Sequence, residues 1–180
     1  MTNTAFFELL KTRRSIRKFS SEQISEEQKA LLMKAALMAP TAKHCNAWEF
    51  VVVEQTDTIC KLSECRPTGS QFMKHAPLVV VVAVNKEKST AWVEDASIAS
   101  AFIQLQAHSM GLGSCWVQVN GRMKDETVDT ESYVRALLGM PETLGIVCMI
   151  AIGRPVEHKN AFEEDKLQFE KVHNERYHEK

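Results

Sequence analysis

The chain has 180 residues, 44% of them hydrophobic and 25% charged, enough for one globular domain with a substantial core. Lys and Arg number 22 against 23 Asp and Glu, and a net charge of −1 excludes the broad basic field that sequence-independent nucleic-acid binding needs. No apolar run reaches the roughly 18 residues of a membrane span, and Met1 to Leu10 lacks the basic start and apolar stretch of a signal peptide, so a cytoplasmic location is expected.

Ala5, Phe6, Leu9 and Leu10 make an amphipathic start, and Arg13-Arg14-Ser15-Ile16-Arg17 follows it, three guanidinium groups around a hydroxyl. Guanidinium forks match phosphate oxygens better than the point charge of lysine does. The cluster therefore reads as a phosphate clamp or, on local pattern alone, as a solvated basic turn; a helical segment would put Arg13 and Arg17 on one face.

Ser25-Glu26-Glu27-Gln28 has the capping-box pattern and opens a helix over about residues 26–38, which Pro40 stops. A polar loop, Thr41 to Ala47, leads into a β-branched strand at Phe50 to Val53. Leu78 to Val84 is a second strand, whose continuous apolar character predicts burial on both sheet faces. Val93 to Met110 reads as a central, largely buried helix, and Glu131 to Leu138 as another, closed by Gly139 and Pro141. Strands are also predicted at Cys115 to Val119 and Ile146 to Ile152. From Val156 to Lys180 the chain is dense in charge, a solvated helix or arm with Phe162, Leu167 and Phe169 as anchors.

Gly111-Leu112-Gly113-Ser114 leaves a helix and enters a strand, the reverse of the order in a dinucleotide fingerprint. Its first glycine suits a left-handed helix cap, and its second would let backbone approach a flat ligand. The cysteines, Cys45, Cys60, Cys65, Cys115 and Cys148, are odd in number and scattered, so reduced thiols are expected. Neither they nor the histidines form a metal-ligand pattern, and no metal is expected. Cys115, at the start of a buried strand, reads as packing rather than a redox thiol.

The arginine cluster together with Ala39-Pro40-Thr41-Ala42-Lys43-His44-Cys45-Asn46-Ala47-Trp48-Glu49-Phe50 resembles the nitroreductase family of FMN-dependent oxidoreductases. Ala76-Pro77, Gly111 to Trp116, Met140-Pro141 and Ile150-Ala151-Ile152-Gly153-Arg154-Pro155 match further family landmarks in the same order. The resemblance covers roughly residues 6–157 and implies an α+β fold: a three-layer sandwich, its mostly antiparallel sheet flanked by helices, in an intimate homodimer with FMN at the interface. Residues 1–157 would be the FMN-binding domain, and 158–180 a charged arm packing on the partner subunit.

By the same resemblance, Arg13, Arg14, Ser15 and Arg17 would hold the FMN phosphate, ribityl chain and pyrimidine edge, with Gly153 and Arg154 approaching from the other end of the chain. Thr41, His44 and Asn46 would reach the flavin from the partner subunit. Ser114, Cys115 and Trp116 would lie beside one ring face, and Gln71, after Gly69 and Ser70, would add an amide contact. The implied activity is ping-pong: NAD(P)H delivers reducing equivalents, and a nitroaromatic, a quinone or a related acceptor takes them. No catalytic side chain is needed, because the flavin carries the electron chemistry. An FMN storage or delivery protein without turnover is the alternative, and a phosphate- or nucleotide-binding module without flavin a third. The chain departs from the family in having His44 for Asn, Asn46 for Gln and Ala47 for Pro, which bears on acceptor preference.

Overall fold

The structure, a computed structural model, describes residues 4–177. Its sheet contains β1 (Trp48–Val53), β2 (Leu78–Asn85), β3 (Gly113–Gln118) and β4 (Leu144–Gly153). They lie in the order β1-β2-β4-β3, with every neighbouring pair antiparallel. All of β4 and all but the last residue of β2 are buried, because helices cover both faces of the sheet.

The two-residue period of the strands sorts their side chains into two cores. On one face Val80, Val82, Ile150 and Ile152 meet Leu32 and Ala36 of α2 (Glu26–Leu37) and Ala99 and Ile103 of α4 (Trp92–Ser109). On the other, Val79, Val81, Met149 and Ala151 meet Ile59 and Leu62 of α3 (Thr56–Ser63) and Val134 of α5 (Thr130–Leu138). The outer helix α1 (Ala5–Thr12) lies against α4. This is the expected three-layer α+β sandwich. The capping box forms too, Ser25 Oγ accepting from the Gln28 amide at 3.2 Å while Gln28 Oε1 accepts from the Ser25 amide at 3.3 Å.

Four elements differ from the sequence reading. The helix α3 was not foreseen, since two buried apolar residues three apart, Ile59 and Leu62, are too short a signal. The segment Arg13 to Arg17 is not helical: α1 ends at Thr12 and Arg13 is already extended, with φ −63° and ψ 124°. The apolar sequence of α4 suggested burial nearly all round, yet Ile98 and Phe102 stay 37% and 36% exposed.

The fourth difference is the charged arm, which holds two short 3-10 turns, Glu164–Lys166 and Phe169–Lys171, and no α-helix among the described residues. Its first part runs back along its own chain. The Val156 amide donates to Lys18 O at 3.0 Å and the Phe162 amide to Lys11 O at 2.9 Å, while Leu167 lies beside Phe7 and Leu10. Of the three expected anchors, Phe162 and Leu167 serve; Phe169 is 70% exposed.

All five cysteines are free thiols. Cys148 is fully buried on β4, with Sγ 3.1 Å from Ser100 Oγ, and burial pushes its thiol up to about 12 from the ordinary 9.0. The unfolded chain ionises this thiol near pH 9 while the folded one does not, so its contribution is intact below pH 9 and is lost as pH rises toward 12. Unfolding free energy should fall through that window by up to about 1.4 kcal/mol per pH unit from this thiol alone. Urea denaturation against pH would show the slope, and Cys148→Ala should flatten it; an unchanged slope in that variant would refute the assignment.

Candidate functional site

The arginine segment is tied to β3 at one point. Ser15 pairs with Ser114 in parallel, and the Ile16 amide donates to Ser114 O at 3.0 Å. Arg13, Ser15 and Arg17, at alternate positions, share one neighbour. All three act on the Cys115 thiol, which burial raises and which Arg17, Ser15 and Arg13 in turn pull back down. Three cationic or hydroxyl donors are thus gathered over a dry, neutral thiol. Arg17 also stands over the Phe72 ring, 5.8 Å from its centre.

Two glycines seat this segment. A Cβ on Gly113 would stand 2.8 Å from Ile16 Cβ, and one on Gly153 would stand 2.8 Å from Pro77 Cδ and 2.9 Å from Phe19 Cβ. Gly113 and Gly153 are cross-strand partners, so together they form a paired notch for Ile16 and Phe19. The close approach predicted at Gly113 is real, but the group that approaches is Ile16 rather than a flat ligand. Gly111, at φ +73°, is the left-handed cap expected of it.

The other side of the segment is held by groups the sequence reading missed. Thr12 Oγ1 donates to Glu8 O at 2.7 Å and lies 2.8 Å from His108 Nε2, so with the hydroxyl proton engaged the imidazole is the donor. Burial, then the charge of Arg13, pulls His108 below its ordinary value. The arm supplies Glu157, whose Oε1 accepts from the Arg17 amide at 2.6 Å and the Lys18 amide at 3.2 Å. The Arg17 amide first, then the Lys159 ammonium and the Lys18 amide, hold its carboxyl below the usual range. Arg14 donates to Asn160 O and stacks 4.6 Å from the centre of the Phe162 ring. A cleft of about 480 Å³ opens between arm and segment, lined by Arg14, Ile16, His108, Gly113, Pro155 and Asn160 among others.

Several other expected residues are already engaged. Arg154 Nε pairs with Glu22 Oε2 at 2.6 Å, a half-exposed contact of the kind that contributes little and exchanges readily. Gln71 Nε2 donates to Arg66 O and Pro67 O, at 2.9 and 3.2 Å, next to the Phe72 that Arg17 covers. Trp116 packs on the α4 side of the sheet and donates from Nε1 to Gln118 Oε1 at 2.9 Å. The main-chain oxygen of Ser114 serves Ile16, as described.

The loop of Thr41, His44 and Asn46 is elsewhere. It precedes β1, the edge strand opposite β3, and meets the sheet where Trp48 pairs with Val84, whereas Ser114 pairs with Ile152 at the other end of β4. The two groups stand at opposite corners of the sheet, and α4 spans the gap. His108 in its last turn meets Thr12, while Asp95 in its first turn accepts from the Ala42 amide at 2.9 Å. At 1.5 Å per residue those two side chains arise roughly 20 Å apart. One chain does not bring Thr41, His44 and Asn46 to the arginines.

The loop is also strained. Lys43, His44 and Asn46 have φ of 52°, 52° and 45°, a left-handed conformation that costs about 1 kcal/mol or more for a side chain such as Lys or His. A clasp closes it, Thr41 Oγ1 lying 3.1 Å from Asn46 Oδ1 and accepting from the Asn46 amide at 3.3 Å.

Comparison with known proteins fits this arrangement. The profile described as the nitroreductase family matches residues 10–66 and 61–154. The chain is 33% identical over 173 residues to a protein of Archaeoglobus fulgidus provisionally named an NADH dehydrogenase/NAD(P)H nitroreductase, covering 94% of this chain and 97% of that one. A protein of the same provisional name from Methanothermobacter thermautotrophicus is 35% identical over 170 residues, covering 91% and 86%. Among solved structures, an FMN-dependent nitroreductase from Clostridium difficile R20291 superposes with a TM-score of 0.93 at 44% identity, covering 94% of this chain and 98% of that one. With its ordered landmarks, antiparallel sandwich and arginine segment on β3, the chain belongs to the nitroreductase family.

Proposed function

We propose that this protein is an FMN-dependent oxidoreductase that passes reducing equivalents from NAD(P)H to a nitroaromatic, a quinone or a related acceptor. The observation that carries the reading is the extended segment on β3, where Arg13, Ser15 and Arg17 converge over a neutral Cys115. Neither guanidinium is paired with a carboxylate among the described residues, so the donor set has the chemistry of an anion cradle. FMN fits it: the arginines and Ser15 would hold the phosphate and the polar edge of the ring, and Arg154 would join by exchanging Glu22 for phosphate. When bound, FMN supplies the hydride and electron chemistry. The protein groups bind it, orient it and neutralise its charge. Cys115 stays protonated and acts as packing, because burial dominates its environment.

The reading is completed by a second copy of the chain. Ile98 and Phe102 are exposed near the midpoint of α4, and Phe6, Leu37 and Met38 are exposed at 59%, 60% and 74% on α1 and at the end of α2. An apolar groove of about 270 Å³, lined by Phe6, Leu9, Ala35, Phe102 and Leu105, runs between those helices. Packing two copies of α4 antiparallel about its midpoint sets the first turn of one beside the last turn of the other. Thr41, His44 and Asn46 of one chain would then face the arginines of its partner, and the exposed end of the arm, Phe169 to Tyr177, would pack on that partner. NAD(P)H and the acceptor would use the flavin in turn, which gives ping-pong kinetics.

Protein purified with added FMN should be yellow and dimeric by light scattering. It should oxidise NAD(P)H steadily once a nitro compound or quinone is supplied. A colourless protein without flavin affinity would sink the reading, and flavin binding without turnover on a broad acceptor panel would favour storage.

A further inference from the structure

We propose that Asp95 is the positioning residue that presets the loop of Thr41, His44 and Asn46 for the flavin site. The inference rests on the reading that this loop borders the flavin bound by a partner chain. Asp95 is 2% exposed on the first turn of α4, and its carboxylate accepts three hydrogen bonds. Oδ1 takes the Ala42 amide at 2.9 Å; Oδ2 takes Ser89 Oγ at 2.7 Å and Cys45 Sγ at 3.5 Å. Two of these partners bracket Lys43 and His44, both left-handed, and Asn46 follows directly.

The chemistry of the three partners selects a carboxylate. An amide N–H, a hydroxyl that itself accepts from the Ala91 amide at 3.2 Å, and a thiol all present protons, so the group between them must accept on both oxygens. Asparagine has nearly the same shape but would set an NH2 against at least one donor. The position at the start of α4 also favours negative charge, because the first-turn amides of a helix carry partial positive charge. Ser89 extends the device by tying the turn before α4 to the same oxygen. Asp95 touches neither the proposed flavin nor the acceptor, and acts on them only through where it holds His44 and Asn46.

The test compares Asp95→Asn with Ser89→Ala, His44→Ala and Asn46→Ala in the FMN-loaded dimer. Readouts are kcat and KM for one quinone acceptor, the visible circular dichroism of the bound flavin, and hydrogen exchange by peptide. Asp95→Asn should raise acceptor KM about 10-fold and speed exchange within residues 41–46 by at least as much, as the loss of one or two hydrogen bonds dictates, while β2 and β4 exchange at the parent rate. Ser89→Ala should move both in the same direction by roughly 3-fold, and carries the test if Asp95→Asn does not fold. Normal KM and loop exchange in Asp95→Asn, or in Ser89→Ala where that variant carries the test, would overturn the proposal if His44→Ala and Asn46→Ala still perturb the flavin. If those two leave flavin spectrum and KM unchanged, the loop does not border the flavin, and the reading beneath the proposal fails instead.

Discussion

Replacing Arg13 and Arg17 together with Ala should weaken FMN binding by about 100-fold or more while weakening riboflavin binding far less. Each charge-assisted hydrogen bond lost is worth roughly 1.5–3 kcal/mol, and a tenfold change in affinity is about 1.4 kcal/mol. Riboflavin shares the ring and ribityl chain of FMN but has no phosphate, so the difference between the two losses isolates the phosphate contact. Fluorescence titration of the apoprotein with each ligand measures it. Equal losses would mean that the arginines act on the ring or on folding and not on phosphate. The extended geometry sharpens the expectation for the residue between them: Arg14 points to the arm, bonded to Asn160 O and stacked on Phe162, so Arg14→Ala should disturb the arm more than the ligand.

The second large effect is expected from a residue that touches no ligand. Gly113→Ala places a methyl 2.8 Å from both Cβ and Cγ2 of Ile16, which is 8% exposed and has little room to move. Overpacking of this kind costs about 1–3 kcal/mol. The strain is relieved most cheaply by lifting Ile16 off β3, and Ser15 and Arg17 flank it. Gly113→Ala should therefore lower FMN affinity by roughly 10-fold or more, and Ile16→Ala in the same chain should return much of it by making space. If Gly113→Ala binds FMN normally, or if the two changes add without coupling, the notch does not set the arginine segment.

Much of the fold was legible because its signals are repetitive. The apolar runs of β2 and β4, the capping box at Ser25 and the glycine stop at Gly139 each combine several residues into one local pattern. Helix α3 has only Ile59 and Leu62 to declare it, and the path of the arm depends on contacts with α1 that no local pattern encodes. The arginine cluster was visible as charge, but its conformation was not, since its bridge to β3 depends on Ser114 and on two glycines far along the chain. Asp95 could have been suspected: it is a carboxylate at the same helical position as the buried Ala99 and Ile103. His108 and Glu157 gave no such signal, because their partners are the Thr12 hydroxyl and two main-chain amides.

The separation that α4 imposes also governs what a mixed assembly can do. In the proposed dimer each flavin takes its arginines from one chain and its loop from the other. A chain damaged at Arg13 and a chain damaged at Asn46 would pair to give one site carrying both lesions and one carrying neither. Two inactive proteins would then restore up to half the activity of an intact pair, and a single damaged copy among normal ones would silence one site and spare its neighbour. The length of one helix thereby sets how a defect is inherited by the assembly.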